Sequence, residues 1–134
     1  MTKNILIADD SAFLREHLRL VIERHPDWKV CEAADGAEAV RKSQQLVPDA
    51  VVLDLAMPDM DGLAAGRRLT HLIPDVPMAL FSIETSSHLA KVAQENGIEA
   101  VFSKTEWDQL VQWLETVLGS PPPTPDRAKI PIAT

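Results

Sequence analysis

The sequence predicts an α/β protein: a doubly wound, five-stranded parallel sheet with helices on both faces, in a three-layer α/β/α arrangement. Five short apolar runs alternate with five segments whose apolar residues have helical spacing. The middle runs are apolar on both faces, as strands of a covered parallel sheet are. Single helices between successive strands give right-handed crossovers. We expect the strand order 2-1-3-4-5, which makes the first and third strands neighbours.

The predicted strands are the five short apolar runs. They cover Asn4–Ala8, Trp28–Ala33, Ala50–Asp54, Pro77–Ser82 and Glu99–Phe102. Between the first two, Ser11 can cap a helix that His25–Pro26 ends. The second helix opens at Asp35, with an acid three positions later at the spacing of a capping box, and is expected to carry Val47 inward until Pro48 stops it.

The last three helices are predicted by their spacing and their ends. The third runs from about Asp61 to Ile73, and the fourth from about Thr85 to Asn96. Asn96–Gly97 suits the left-handed turn that closes many helices. The fifth helix ends before Gly119 and presents a single apolar stripe. That stripe consists of Trp107, Leu110, Val111, Leu114, Val117 and Leu118.

The composition fits one ordinary domain followed by a short tail. The chain has 134 residues, of which 46% are apolar and 25% charged, enough apolar material for a single core. After Gly119 the composition becomes rich in proline. We therefore assign residues 1–119 to the domain and residues 120–134 to a linker or a disordered end.

Charge and hydropathy exclude several classes of protein. A formal net charge of -7 and a pI near 5.0 argue against a nucleic-acid-binding face on this domain. With Cys31 alone, no internal disulfide can form. The apolar runs are far shorter than the roughly 20 residues of a membrane helix, and Met1–Asp10 has no signal-peptide layout. We expect a cytoplasmic protein.

Three carboxylates are predicted to meet at one edge of the sheet. Asp9 and Asp10 follow the first strand, Asp54 ends the third, and ligands of open parallel sheets bind beyond the carboxyl ends of strands. Each acid alone fits a helix cap or a strand end. Together, such close like charges would oppose folding unless a cation lay between them. Mg²⁺ prefers oxygen ligands, so the trio predicts a magnesium site.

Lys104 and Ser82 follow or end the fifth and fourth strands and are expected at the same edge. The ammonium of Lys104 can pair with the Asp54 carboxylate, and both this ammonium and the Ser82 hydroxyl can donate to an oxygen of an anionic group, such as a phosphoryl group, placed on Asp54. Phe102 is expected on the same side of its strand as Lys104. Taken singly, they fit a loop lysine, a turn serine and a core aromatic. The loop after Asp54 can turn the Ala56 carbonyl toward the cation.

Together these residues resemble the receiver domains of two-component response regulators. The resemblance covers about residues 4–118. It implies the flavodoxin-like receiver fold. The residues that carry it are Asp9–Asp10, Asp54, Met57–Pro58, Asp61–Gly62, Ser82, Phe102 and Lys104.

By that resemblance, Asp54 would accept a phosphoryl group from a sensor histidine kinase or a phosphotransfer protein. Asp9 and Asp10 would hold Mg²⁺ with Asp54 and the Ala56 carbonyl, and Lys104 would contact the phosphoryl group. The chain would be no enzyme beyond its own phosphorylation and autodephosphorylation.

The same resemblance implies a switch and an output face. Ser82 and Phe102 would form the switch pair. The fourth helix, fifth strand and fifth helix would form a face read by a partner or by a second copy in a homodimer. Ala8–Asp10 with Phe13 and Arg15 is similar to receivers fused to helix-turn-helix output domains, which control transcription.

The sequence also departs from the receiver pattern. Thr105 follows Lys104 where many receivers have proline. Ile83 stands where a small residue is usual and is expected to crowd the pocket. Ala56 and Glu84 offer no amide of the kind that positions hydrolytic water in some receivers.

Three alternatives remain open from the residues. A haloacid-dehalogenase-like phosphatase places its acids two residues apart, whereas Asp9 and Asp10 are adjacent. A flavodoxin-like cofactor binder would need a Gly/Ser/Thr-rich phosphate loop after the first strand. A pseudo-receiver that serves only protein contacts would keep the fold without the chemistry, and Ile83 keeps this alternative open. The four histidines have no zinc-like spacing and are expected to be structural or exposed.

Overall fold

A computed structural model describes residues 2–119, so the predicted tail at residues 120–134 lies outside the described part. Five strands form one parallel sheet in the order β2-β1-β3-β4-β5, which confirms the predicted fold class and strand order. The strands are β1 Lys3–Ala8, β2 Trp28–Ala33, β3 Ala50–Leu53, β4 Met78–Ser82 and β5 Ala100–Ser103. The helices are α1 Ala12–Ile22, α2 Gly36–Gln45, α3 Gly62–Leu72, α4 Ser87–Glu95 and α5 Trp107–Leu118.

Four of the helices start with a side-chain cap. The capping oxygens accept hydrogen bonds from otherwise unpaired amides of the first turn. The predicted caps Ser11 and Asp35 are confirmed, and Asp35 accepts from the Glu38 amide at 2.8 Å. The four caps are Ser11, Asp35, Asp61 and Ser86.

Some helix ends differ from the prediction. The second helix ends at Gln45, and the extended backbone of Leu46 (φ -137, ψ 97) takes the chain out of the helix. The expectation that Val47 points inward is therefore wrong, and its side chain is 58% exposed. At the end of α4, Gly97 has φ 84. Its amide and that of Ile98 donate to carbonyls of the last turn, which is the predicted left-handed closure.

The core has two parts, one on each face of the sheet. Alternate β1 residues serve opposite faces: Leu6 belongs to one cluster and Ile5 to the other. The first cluster packs α2, α3 and α4 against the sheet, and the second packs α1 and α5. This is the predicted three-layer arrangement. None of the helices between residues 2 and 119 has the length and apolarity that crossing a bilayer requires.

Strand register brings the polar ends of the strands together. In the β1–β3 pair, Ala8 lies opposite Leu53, so Asp9 and Asp54 follow neighbouring residues of adjacent strands. The Asp54 amide donates to the Ala8 carbonyl at 2.8 Å and fixes that alignment. Parallel strands end at the same edge, and this edge therefore collects the predicted site residues.

Candidate functional site

The three predicted acids meet at the carboxyl edge of β1 and β3. One carboxylate oxygen of each of Asp9, Asp10 and Asp54 lies within 4.8 Å of the others. Asp9 and Asp54 are only 2% and 5% exposed, whereas Asp10 is exposed. Two carboxylates are thus removed from water while a third faces it.

Lys104 lies between the two buried carboxylates. Its Nζ donates to Asp9 Oδ2 at 3.0 Å and is 3.1 Å from Asp54 Oδ1. Asp9 Oδ1 also accepts from the Ser11 amide at 2.8 Å. One ammonium group therefore serves two carboxylates.

The backbone after β5 holds Lys104 in place. Its amide donates to the Ser82 carbonyl at 2.8 Å, and its own carbonyl accepts from the Trp107 indole Nε1 at 2.8 Å. No peptide bond within residues 2–119 is cis, so the Lys104–Thr105 bond is trans. Lys104 thus contacts Asp9 and Asp54 although the residue after it is Thr105 and not proline.

The charges at the site are incompletely balanced. Burial, followed by the negative charge of Asp9, raises the pKa of Asp54, even though Lys104 and a hydrogen bond from the Ala56 backbone lower it. Burial lowers the pKa of Lys104, but its hydrogen bonds to Asp9 and Asp54 outweigh this and leave that pKa raised. Excess negative charge in a cluster of carboxylate oxygens fits a hard divalent cation such as Mg²⁺.

A cavity of about 650 Å³ opens over these groups. It brings together all the predicted site residues except Phe102, including Ser82, which is 5% exposed. Phe102 instead packs half-buried on the α1–α5 side, with its ring 6.2 Å from that of Trp113. The cavity lining is Asp9, Asp10, Ser11, Leu14, Asp54, Leu55, Ala56, Ser82, Ile83, Glu84 and Lys104.

The loop between β3 and α3 approaches the site backbone closely. A Cβ atom at Gly62 would lie 2.3 Å from the Asp54 main-chain oxygen, so only glycine fits there. The Gly62 amide donates to the Leu55 carbonyl at 2.9 Å, and Asp61 caps α3. Glycine at this position allows the loop to close beside Asp54.

Ile83 and Glu84 both line the cavity mouth. The Ile83 side chain is 79% exposed there, and Glu84 is exposed beside it. Most of the Ile83 side chain thus lies in solvent, and the expectation that it crowds the pocket stays a prediction.

Sequence reasoning gave no site role to Arg15, which contacts the site through the backbone. Its Nη1 donates to the main-chain oxygen of Asp9 at 2.5 Å. Every residue offers a main-chain oxygen, so residue types gave no signal for this contact. The sequence offered one hint of this contact: Arg15 lies near the start of the first helix, five residues after Asp10.

Comparison with known proteins shows the family to which the chain belongs. The family model described as "Response regulator receiver domain" matches residues 5–115. A protein-glutamate methylesterase/protein-glutamine glutaminase of Alkalilimnicola ehrlichii is 40% identical over 83 residues, which is 61% of this chain. The match covers 21% of that protein, so the chain spans about a fifth of this relative.

Two solved structures have the same architecture. A LuxR-family two-component response regulator from Aurantimonas sp. SI85-9A1 superposes with a TM-score of 0.83 at 34% identity, covering 89% of this chain and 86% of the other. The response regulator domain of Thermotoga maritima CheB gives 0.78 at 29% identity, covering 90% and 96%. The chain therefore belongs to the response regulator receiver domain family of two-component signalling.

Proposed function

We propose that the chain accepts a phosphoryl group on Asp54 from a sensor histidine kinase or a phosphotransfer protein, in the cytoplasm. The observation that carries this proposal is the arrangement of Asp54: a buried carboxylate at a strand end, beside two further acids and within 3.1 Å of the Lys104 ammonium. A carboxylate oxygen there is available as a nucleophile, and the Lys104 ammonium is placed for the charge that phosphoryl transfer develops.

In the proposed transfer, an Asp54 oxygen forms a bond to phosphorus as the bond from phosphorus to the donor imidazole nitrogen breaks. Asp9, Asp10, Asp54 and the Ala56 carbonyl would hold Mg²⁺. When bound, the cation supplies charge neutralisation to the phosphoryl oxygens. Lys104 contributes a second positive charge and donates to one of those oxygens.

The proposed switch uses Ser82 and Phe102. The buried Ser82 hydroxyl moves to donate to a phosphoryl oxygen, and Phe102 moves into the space that it vacates. Two features support a response in the face formed by α4, β5 and α5. Only Ala93 is buried in α4, and β5 is an edge strand whose residues are all half-buried. Lightly anchored elements shift their populations at low cost.

We propose that a partner protein or a second copy reads this face. The net charge of -7 supports the inference that this domain does not contact nucleic acid directly. Control of transcription would act through a separate helix-turn-helix domain. Methylesterase activity belongs to the relative that carries that name. For this chain we propose no chemistry beyond self-phosphorylation and autodephosphorylation.

Intact-mass spectrometry tests the proposal. The native chain and Asp54→Ala are each incubated with acetyl phosphate and Mg²⁺. We expect one added phosphoryl mass on the native chain alone. Equal labelling of both proteins, or failure of the native chain to label with either acetyl phosphate or its purified kinases, contradicts the assignment.

The exposed Ile83 at the cavity mouth favours one alternative, a pseudo-receiver that works by protein contacts alone. In that case Ile83→Ala also stays unlabelled. If Ile83 only slows access, Ile83→Ala labels faster than the native chain. A steady-state assay that detects many phosphatase turnovers per chain would instead support the Asp-nucleophile phosphatase.

A further inference from the structure

Arg15 ties the candidate metal site to a neighbouring strand through its guanidinium group. Its Nη1 donates to the main-chain oxygen of Asp9 at 2.5 Å, and its Nε donates to Oε1 of Glu32 at 2.9 Å. Arg15 lies on α1, Asp9 follows β1, and Glu32 belongs to β2. The Arg15 side chain is 15% exposed. The Arg15 guanidinium thus connects α1 to β2 and to the residue that follows β1.

Glu32 is itself held by a second arginine. Arg19 donates to Glu32 Oε2 through Nε at 2.9 Å and Nη2 at 2.7 Å. Burial raises the pKa of Glu32, but hydrogen bonds from Arg19 and Arg15 outweigh it, and the pKa lies below its ordinary value. Glu32 therefore stays ionised at neutral pH and remains an acceptor for Arg15.

The Arg15 hydrogen bond fixes the peptide group between Asp9 and Asp10. A peptide group is planar, so holding the Asp9 carbonyl also sets the direction of the Asp10 amide and Cα. The Asp9 amide is held as well, because it donates to the Ala33 carbonyl at 3.1 Å.

Asp10 depends on this backbone for its placement. Its exposed side chain makes no hydrogen bond or ion pair within residues 2–119, unlike that of Asp9, which Ser11 and Lys104 contact. Yet an Asp10 carboxylate oxygen lies within 4.8 Å of oxygens of Asp9 and Asp54. The backbone on both sides of Asp10 is held: the Asp9 carbonyl accepts from Arg15, and the Ser11 amide donates to Asp9 Oδ1.

We propose that Arg15 is a positioning residue for the cation site: anchored by Glu32, it orients the Asp9–Asp10 peptide so that both carboxylates face Asp54. This inference rests on the proposed function, since it takes Mg²⁺ as the cation. Arg15 touches neither the cation nor the phosphoryl group and acts only through the Asp9 backbone. Loss of Arg15 should weaken Mg²⁺ binding beyond any effect on folding.

Isothermal titration of the full chain with Mg²⁺ tests this role against that of a simple tie between α1 and β2. Arg19→Met is the matched control, because Arg19 also pairs with Glu32 across α1 and β2 but does not contact Asp9. We expect Arg15→Met to bind Mg²⁺ about tenfold more weakly. We expect Arg19→Met to lose clearly less affinity than Arg15→Met, because Glu32 then still accepts from Arg15 and the Asp9 main-chain oxygen keeps its donor. Equal losses in both variants, or no loss in Arg15→Met, overturn the inference.

Arg15→Lys separates positioning from charge. Lysine keeps the positive charge but lacks the planar fork that bridges two acceptors. We expect Mg²⁺ affinity to stay reduced, and full recovery would overturn the positioning role in favour of a charge effect. If Arg15→Met does not fold, as judged by circular dichroism without Mg²⁺, Glu32→Gln replaces it, with a smaller expected loss. Unchanged affinity in Glu32→Gln would then count against the inference.

The native chain shows which proposal has failed. If it neither binds Mg²⁺ nor labels on Asp54, the proposed function is wrong and this inference falls with it. If it does both while Arg15→Met binds Mg²⁺ equally well, only the positioning role is wrong.

Discussion

Lys104 places one positive charge between two carboxylates that are almost fully removed from water. Burial and the charge of Asp9 still leave the pKa of Asp54 raised. Three carboxylates share one ammonium, so the resting site has more acidic than basic side chains. Incompletely compensated buried charge lowers the free energy of unfolding, so the fold is less stable because of its own site. A site with this charge is stabilised by binding a cation.

Replacing Asp54 by asparagine should stabilise the chain at neutral pH in the absence of Mg²⁺. Because the folded-state pKa lies above the unfolded one, Asp54 lowers stability as pH rises through that interval. Asp54→Asn removes this cost, and we expect a gain on the order of 1 kcal/mol in the free energy of unfolding at pH 7. The gain should shrink as pH falls toward the unfolded pKa. Urea unfolding at a series of pH values measures it.

Asp75→Asn is the control for that comparison, because Asp75 is exposed on a loop. It should leave stability nearly unchanged at every pH. A destabilised Asp54→Asn would show that Lys104 fully compensates the buried charge. A gain that does not depend on pH would show that it comes from something other than the ionisation of Asp54.

Among the elements, α4 and α5 are each closed by a glycine that the sequence displays. Gly97 closes α4 with φ 84, and a Cβ atom built on it would lie 2.0 Å from Thr70 Oγ1. Gly119 closes α5 with φ 65, but a Cβ atom there would meet nothing within 4 Å. The two positions therefore share a backbone requirement and differ in packing.

This pair gives a matched prediction. Gly119→Ala should lower the free energy of unfolding by about 1 kcal/mol, the cost of a left-handed residue with a side chain. Gly97→Ala should lower it by clearly more, because Thr70 must also move. Chemical denaturation of both variants measures the difference. Equal losses would mean that the α3–α4 contact adapts freely around Thr70.

The positions of site residues were predictable where the pattern of strands determines them. Asp9, Asp54 and Lys104 were placed correctly because parallel strands end at a common edge, which periodicity alone can locate. Val47 was misplaced, since one extended residue at the end of α2 rotates the chain out of the helical pattern. The Arg15 contact was missed because it ends on a main-chain oxygen. Backbone turns and backbone acceptors are common to all residues, so they leave no trace in composition.

In the whole molecule, the sheet is fully buried at its central strands β3 and β4 and only partly buried at its edge strand β5. The residues of β3 and β4 are all buried, whereas those of β5 are all half-buried. Among the helices, α4 has the fewest buried residues. Elements with less buried apolar surface open more readily. The proposed switch therefore acts on the part of the domain that is easiest to rearrange.

Hydrogen exchange can test that distribution. On phosphorylation of Asp54, amide exchange in α4 and β5 should change several-fold, roughly, while that in β1 and β3 stays nearly constant. In Asp54→Asn under the same conditions, amide exchange in α4 and in β5 should stay constant as well. A fully labelled chain with unaltered exchange in α4 and β5 would place the response elsewhere.

The alignment of Ala8 with Leu53 has a consequence for how such a domain can diversify. Asp9 and Asp54 follow the buried ends of the central strands β1 and β3, while the loops beyond the strand ends carry exposed residues such as Ile83 and Glu84. If Asp54 accepts a phosphoryl group as proposed, substitutions in these loops can change which donor gains access, or how long the phosphoryl group lasts, without moving Asp9 relative to Asp54. Signalling specificity and reaction geometry can therefore evolve separately.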